Sequence, residues 1–523
     1  MNTVKNARAS SYEATAQPRT LFESLEAVWN REPDRPAMVS GSQKVTYGEF
    51  GSAVLQLANA YRRLGISAGD RVVCSLSNRP EQFIAMGAAW ACGAIHVGVD
   101  YQSTQPELAR IVELTQASAL VLERTDETGK VRLRLFHRGV ASCDEIDLRH
   151  AMHSRPKPDG LAGLSPPSPE DAAFIFVSSG TTGKPKAALG YQGNLCERWQ
   201  RLGQRLRFRP EDVHLAHLPL SHGFGLMMAL AALMQGGCLV LINDFSAERA
   251  LEAITTCGIT VLNGAPTHFK LILDRLDRER HDIRSLRFSV GTAAMFPPFL
   301  IRAIWSELGV DFMYMYGASE GVGVATTDRE DMLLGSVGKP VPGSLAIVGP
   351  DRQELPTGAV GEIAFSRKTF PVRYYTGSSS DSAGEGNISE NWYYSGDLGR
   401  LDEQGRLYVV GRLKHQIDRG GLKVDPVEVE CALLQCAGVS DAAVIGVPNP
   451  ILGEVVRACI VPAPGYVASL AKLRELLARE LAPYKLPEEL CILDRIPRTQ
   501  IGKVDLNRLR SQAAGTVEQI RSA

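Results

Sequence analysis

Short apolar runs alternate with helix-length patterns through roughly the first 300 residues. The runs Arg71 to Leu76, Ile95 to Val99, Ala119 to Leu122, Phe174 to Val177, Cys238 to Ile242 and Thr260 to Leu262 read as buried strands. Between them, Glu81 to Cys92, Gln105 to Thr115, Ala247 to Thr256 and Pro298 to Leu308 read as amphipathic or buried helices. In the last of these Leu300, Ile304 and Leu308 recur at i, i+4, i+8 and share one face. Strand, helix, strand at this spacing predicts parallel sheet covered by helices.

Beyond about residue 335 the pattern breaks into short strand-like pieces. They are punctuated by Pro342-Gly343, Pro356-Thr357-Gly358 and Glu403-Gln404-Gly405, which predicts a β-rich subdomain. Thr376 to Asn387 is polar and Gly/Ser-rich and reads as a loop. A final unit carries a strand-like run at Ala442 to Val447 and a helix near Ser469 to Leu481. On that helix Leu470, Leu473, Leu477 and Leu481 share a face. The boundary is placed near Gly411 to Lys414. That gives a disordered tail over 1–20, a large N-terminal domain over 21–413 and a mobile C-terminal domain over 414–523.

The length, 523 residues, supports a large core, so neither disulfides nor a structural metal is needed to hold it together. Lys+Arg 57 against Asp+Glu 58 leaves a net charge of -1, which offers no global attraction for nucleic acid or anionic membrane. The ten cysteines form no CxxC pair, and most sit among apolar neighbours, so buried reduced thiols are expected. The polar start lacks the apolar segment of a signal peptide, and no run is long enough to span a membrane. A cytoplasmic protein is the expectation.

Four stretches carry candidate chemistry. The first is Ser178-Ser179-Gly180-Thr181-Thr182-Gly183-Lys184-Pro185-Lys186, directly after a predicted strand. Glycines let backbone N–H groups turn toward an anion, hydroxyls donate to phosphate oxygens, and lysines add charge. It is not a Walker A loop, because Gly180 and Gly183 are too close and Pro185 follows Lys184. A plain Ser/Thr/Gly turn accounts for the composition equally well. The second is Tyr316-Gly317-Ala318-Ser319-Glu320-Gly321. One reading makes Tyr316 a stacking face for a base and Glu320 a Mg²⁺ ligand. Formally, Gly317 to Gly321 also matches the nucleophile elbow of α/β-hydrolases, although the Gly- and β-branched-rich continuation does not read as the helix that motif needs.

The third stretch is Trp392 to Gly399 with Gly411-Arg412-Leu413-Lys414. Asp397 on a Gly turn suits a ribose diol and Arg412 a phosphate or ribose, while a turn residue and a surface ion pair are the alternatives. The fourth is Pro497 to Lys503, where Lys503 on a Gly turn is either a solvated tip or a cation swung into a site.

Together, in this order and at these separations, the four stretches resemble the adenylate-forming superfamily of acyl-CoA synthetases, luciferases and peptide-synthetase adenylation domains. The resemblance runs from about Thr20 to Arg510. It implies an α/β fold with α+β parts. A large N-terminal domain of parallel-sheet α/β subdomains plus a β-rich subdomain is joined by a hinge to a small α+β C-terminal domain that rotates between two half-reactions. It also implies a phosphate loop spanning Ser178, Ser179, Gly180, Thr181, Thr182, Gly183 and Lys186, with Thr181 counted among the catalytic residues. Gly291, Thr292 and Ala293 would border adenine, beside Tyr316, Gly317, Ala318 and Ser319. Glu320 would hold Mg²⁺, Asp397 the ribose and Arg412 the nucleotide. Lys414 would be the hinge, Lys503 the catalytic lysine, and Gly420-Gly421 would approach the thiol.

The reaction implied is attack of a carboxylate on the α-phosphate of ATP, releasing pyrophosphate. Thiol attack on the acyl-adenylate then gives the thioester and AMP. Val177-Ser178-Ser179-Gly180 stands for the commoner Tyr-Thr-Ser-Gly, Pro185-Lys186-Ala187 for Pro-Lys-Gly, Ser319 for Thr, and Leu506 for an arginine; the catalytic positions are kept. Leu218 to Leu226 resembles the acid-pocket region of acyl- and aryl-CoA synthetases, with His222 gating the carboxylate near Phe224 and Gly225. A loop histidine satisfied by backbone is the alternative for His222. No Asp occurs between Asp212 and Asp244 to hold an α-ammonium, and the surroundings are apolar, so a hydrophobic acid is expected rather than an amino acid. CoA is the expected acceptor, a carrier-protein phosphopantetheine the alternative. Luciferase-type oxidation is weaker, and the ending Arg521-Ser522-Ala523 is not a peroxisomal signal.

Overall fold

The helix Pro80–Ala91 is buried along its whole length, and Gly223–Met234 contains no polar side chain at all. A helix without a polar face must be covered all round. These two, with Tyr47–Arg63 and Gln192–Arg205, form a layer between two large sheets, and residues of both sheets join them in one core. The computed structural model describes residues 19–125, 131–137, 143–146, 163–164, 166–178, 186–318, 321–368, 373–375, 388–499, 502–513 and 517–519.

The first sheet runs across Arg373–Tyr374, Lys186–Tyr191, Ala172–Ser178, Ile95–Val99, Arg71–Ser75, Ala119–Thr125, Val131–His137 and Cys143–Ile146. The second runs across Gly321–Thr326, Asp311–Ala318, Phe288–Gly291, Val261–Gly264, Val213–Ala216, Cys238–Leu241, Pro36–Ser40 and Gln43–Thr46. Both are parallel in the centre and antiparallel at the two edges. The expectation of parallel sheet thus holds only for the centres. An edge strand added by a hairpin needs no crossover helix, so it returns antiparallel.

A third, four-stranded antiparallel sheet orders Leu345–Val348, Gly361–Ser366, Trp392–Leu401 and Leu407–Arg412, where turn-punctuated strands were expected. The short turn Leu413–His415, which contains Lys414, leads from it into the fourth sheet, beginning at Ile417–Arg419. The fourth sheet has its own apolar core, in which Ile417, Val429, Leu433, Val444, Leu470 and Leu473 are buried.

Several boundaries differ from the sequence reading. The run Pro298 to Leu308 is the α-helix Pro298–Ala303 followed by a wider π turn, Ile304–Leu308, yet Leu300, Ile304 and Leu308 are all buried. The helix near Ser469 is Leu470–Leu477 and stops before Leu481, which is buried nonetheless; Pro483 cannot continue a helix. Among the described cysteines none is disulfide-bonded. Cys74, Cys92, Cys196, Cys459 and Cys491 are buried, but Cys257, at the end of the helix Ala247–Cys257, is exposed. Thr376 to Asn387 lies outside the described residues.

Candidate functional site

Three parallel strands of the second sheet end side by side. Gly264 leads into the helix Pro266–Arg275, Gly291 into Thr292-Ala293, and Tyr316 lies near the end of Asp311–Ala318. Chain leaving such strand ends turns over the sheet and builds ligand crevices in open α/β folds. The Thr292 hydroxyl donates to the Met315 carbonyl at 2.8 Å, tying two of the exits together. Ala293 has a φ of 76°, a left-handed conformation that a residue with a Cβ adopts only when the surroundings enforce it.

The third sheet closes over these ends. Asp397 and Arg412 face each other across antiparallel strands, and Arg412 Nε donates to Asp397 Oδ1 at 2.5 Å. The Tyr316 hydroxyl donates to the other oxygen, Oδ2, at 2.8 Å. Asp397 is only 6% exposed, whereas the Arg412 side chain is about half exposed. Burial, and then the Asp397 charge, push the Tyr316 phenol well above its ordinary range, so it stays protonated and donates. The Tyr316 ring is stacked on Phe365, with centroids 6.0 Å apart. Each carboxylate oxygen keeps a further acceptor direction, so a diol can be received without breaking the pair.

The small fourth-sheet unit reaches the same place. Thr499 N–H donates to the Lys503 carbonyl at 2.7 Å and Gly502 N–H to the Thr499 carbonyl at 2.9 Å, which makes a tight turn. Arg498 braces it, bonding the Gly502 carbonyl at 3.0 Å while ion-paired to Asp441 at 2.7 Å. From the other side Thr267 Oγ1 donates to the Gly502 carbonyl at 3.4 Å. Lys503 is exposed overall, although enough protein surrounds it to be felt at its ammonium. Burial and the Arg412 charge lower its pKa, and Asp397 opposes them. Lys503 thus lies within electrostatic reach of Asp397 and Arg412.

His222 is the residue before the helix Gly223–Met234, and its Nδ1 lies 3.2 Å from the Ser221 hydroxyl. Burial lowers its pKa, Asp100 opposing and Lys503 adding, so at neutral pH the ring is uncharged. Asn78 fixes the loop that carries it. This buried amide donates to the carbonyls of Leu218 at 2.9 Å and Ile242 at 3.1 Å, and accepts from Leu220 N–H at 3.2 Å. Phe224 packs against the central core and Gly225 is buried.

Gly420 and Gly421, both at positive φ, form a two-residue hairpin turn between Ile417–Arg419 and Leu422–Val424, a geometry that glycine adopts at no steric cost. Residues Ser179, Gly180, Thr181, Thr182, Gly183, Ser319 and Glu320 lie outside the described residues, as do the side chains of Ser178, Lys186 and Ala318. Backbone register alone removes the hydrolase reading. Ala318 pairs with Gly321 and Gly317 with Val322, so Gly317 to Gly321 joins antiparallel strands rather than opening a helix. Sequence reasoning missed Thr267, Asn78 and Phe365. For Thr267 a signal existed, since Pro266, suited to open a helix, follows the predicted strand Thr260 to Leu262 by a few residues.

Two α/β and β units whose strand ends meet a lysine-bearing turn from a separate small unit define an adenylate-forming ligase. Residues 25–375 match the AMP-binding enzyme family and residues 428–503 the AMP-binding enzyme C-terminal domain, and the chain belongs to this family. It is 30% identical over 495 residues to a sulfoacetate–CoA ligase of Cupriavidus necator, covering 92% of this chain and 95% of that one. It is 31% identical over 479 residues to a feruloyl-CoA synthase of Amycolatopsis, covering 90% and 94%. The o-succinylbenzoate CoA synthetase of Bacillus subtilis with its acyl-adenylate superposes with a TM-score of 0.78 at 26% identity, covering 97% of this chain and 99% of that one. ATP-bound MatB of Rhodopseudomonas palustris, at 24% identity and a TM-score of 0.79, shares the fold. Among the described residues no helix is long and apolar enough to cross a membrane.

Proposed function

We propose that this enzyme activates a hydrophobic carboxylic acid with ATP and transfers the acyl group to CoA. The observation that carries the reading is the convergence of Tyr316, Asp397, Arg412 and Lys503 at the parallel-strand ends, beside His222. A carboxylate is a poor electrophile, because resonance and charge both resist attack. Its oxygen attacks the α-phosphorus, the bond to the β-phosphate oxygen breaks, and pyrophosphate leaves. The protein has little covalent work to do; it aligns two anions and offsets their repulsion. Lys503 supplies a cation for this, Asp397 receives the ribose diol, and Arg412 holds Asp397 and contacts the nucleotide. Neutral His222 leaves the incoming carboxylate one N–H donor. In the second step the CoA sulfur attacks the adenylate carbonyl, AMP leaves and the thiol proton goes to solvent. That step needs Lys503 withdrawn, by rotation of 414–523 against 21–413 about Lys414, and Gly420-Gly421 brought to the thiol.

The Ser178 to Lys186 loop, including Thr181 and Thr182, is assigned to the phosphates. Mg²⁺, with Glu320 as its ligand, would enter with ATP and offset phosphate charge. Apolar Leu226, Met227 and Met228 support a hydrophobic acid. The relatives' names span sulfoacetate, ferulate and indoleacetate, all as CoA ligases, and support CoA as acceptor rather than the acid's identity. A cytoplasmic setting fits ATP and CoA as co-substrates. ATP–pyrophosphate exchange across fatty, aryl and polycyclic acids tests the reading, followed by CoA or a holo-carrier protein offered to the preformed adenylate. Exchange with no acid, or an esterase activity that ignores ATP, overturns it.

A further inference from the structure

The turn that carries Lys503 is seated on the large unit at the first turn of the helix Pro266–Arg275. A Cβ added at Gly502 would lie 3.1 Å from His268 Cε1 and 3.2 Å from Ala265 Cβ, where carbon atoms need about 3.5 Å. Gly502 also has a φ of 79°, in the left-handed region. Glycine is therefore required there twice, once for the turn itself and once for its approach to the ring. The Gly502 carbonyl is bonded from both units, by Arg498 at 3.0 Å from its own side and by the Thr267 hydroxyl at 3.4 Å from the large unit.

The surface that the turn meets is itself held in place. Ala265 is 2% exposed and His268 5%. His268 Nδ1 accepts Ala265 N–H at 3.0 Å, which fixes the ring against the start of its own helix. The rings of Phe245 and His217 meet it nearly edge-on, with centroids 4.6 and 5.0 Å away. Burial, and then the Arg498 charge, lower the His268 pKa to about 4, so the ring is neutral, accepts at Nδ1 and carries its proton on Nε2. It therefore adds no positive charge beside a turn that already bears Arg498 and Lys503. Lys503, by contrast, is exposed and ends a flexible four-carbon stem. Such a cation serves a reaction only when its backbone is held, since a misplacement of about 1 Å costs up to about 100-fold in a positioned reaction.

We propose that Thr267 and His268 are positioning residues for adenylate formation, a socket that seats the Gly502 turn and through it places the Lys503 ammonium. The proposal rests on the ligase reading above. The socket belongs to the large unit and its occupant to the small one, so rotation that withdraws Lys503 empties it. Its influence is therefore confined to the first half-reaction, whereas a residue that merely holds the large unit together would affect both.

The test uses the full chain and two assays, ATP–pyrophosphate exchange and thioester formation from CoA and supplied acyl-adenylate. Wild type is first assayed with fatty, aryl and polycyclic acids, octanoic, ferulic and indoleacetic acids among them, and its best acid is carried forward. Thr267→Val keeps the shape of the side chain and removes the donor. It should lower the kcat of exchange about 2- to 10-fold, the span of one neutral hydrogen bond, with KM for the acid held within about twofold. Thioester formation should stay within about twofold of wild type, and Thr267→Ser should restore exchange. His268→Gln keeps an acceptor for Ala265 N–H but removes the rigid ring edge, and should show the same split; where it fails to fold, Thr267→Val decides alone. Exchange unchanged by Thr267→Val, or an equal loss in both half-reactions, overturns the socket. Absence of exchange by wild type with every acid overturns the ligase reading instead, so the two failures are told apart.

Discussion

A Cβ added at Gly411 would run into Asp425 of the small unit, and Gly411→Ala tests whether the observed orientation is the one that forms the adenylate. Gly411 lies in Leu407–Arg412 and pairs with Leu398; its φ is not positive, so alanine meets no backbone strain there. A Cβ at that position, however, would lie 1.3 Å from Asp425 Oδ2, 2.4 Å from Cγ and 3.0 Å from Oδ1. Non-bonded heavy atoms need about 3.5 Å. The three nearest atoms all belong to one carboxyl group, so the cheapest escape is for Asp425 to rotate. Its Oδ1 caps the helix Pro426–Gln435 by accepting Val427 N–H at 2.8 Å, and loss of such a cap costs about 1 kcal/mol. That lowers the population of the observed orientation by about fivefold, and by more if rotation is blocked.

The assay separates the half-reactions: pyrophosphate exchange for the first, and acyl-CoA formation from supplied acyl-adenylate for the second. Exchange should fall at least about fivefold while thioester formation stays within about twofold. Because Asp425→Ala removes all three colliding atoms, the double variant Gly411→Ala/Asp425→Ala should recover exchange. Equal loss in both half-reactions, or no loss in either, would refute the assignment of this contact to the adenylating orientation.

Lys503→Ala should abolish adenylate formation yet spare thioester formation from supplied adenylate, by the same pair of assays; loss of both would remove the lysine's assigned role. Arg287→Ala should destabilise the large unit by at most about 3–5 kcal/mol in chemical denaturation, because it removes the counter-ion that binds the 3%-exposed Asp212 carboxylate through two nitrogens and leaves it only Arg209 N–H and the Thr260 hydroxyl. Acid should weaken the same unit. His96 has its pKa lowered to about 3, and His214 and His268 to about 4, each chiefly by burial. The unfolded chain therefore takes up protons that the folded one refuses. Stability present above about pH 6.5 falls as pH drops toward 4, by roughly 1.4 kcal/mol per histidine per pH unit at full slope. All five tryptophans precede residue 413, so their fluorescence reports the large unit. Partly buried Glu430 in the small unit, pushed up to about 8 chiefly by desolvation, acts in the opposite sense there. Flat stability between pH 7 and 5 would contradict the burial of these rings.

Local pattern carried much of the architecture. Runs such as Ile95 to Val99 are strands because their β-branched and apolar side chains fit only a surface buried on both faces. The all-apolar Gly223–Met234 could only be an enclosed helix. The order of four polar stretches likewise marked Asp397, Arg412, Tyr316 and Lys503 before any geometry was known. Periodicity could not decide which strands are neighbours, because a strand's pattern records that it is buried and not what buries it. Nor could it give the antiparallel edges, or the hairpin that ends the hydrolase reading. Tertiary structure alone revealed that Asp397 is held from two sides by Tyr316 and Arg412, residues 81 and 15 positions away. It alone brought Thr267 to Gly502 across 235 residues and set Asp425 against Gly411. These are contacts between groups distant in sequence, where close packing and the need to pair buried polar atoms act on three-dimensional neighbours. The sequence by itself determined the elements and the chemical groups; only the folded chain decided which groups meet.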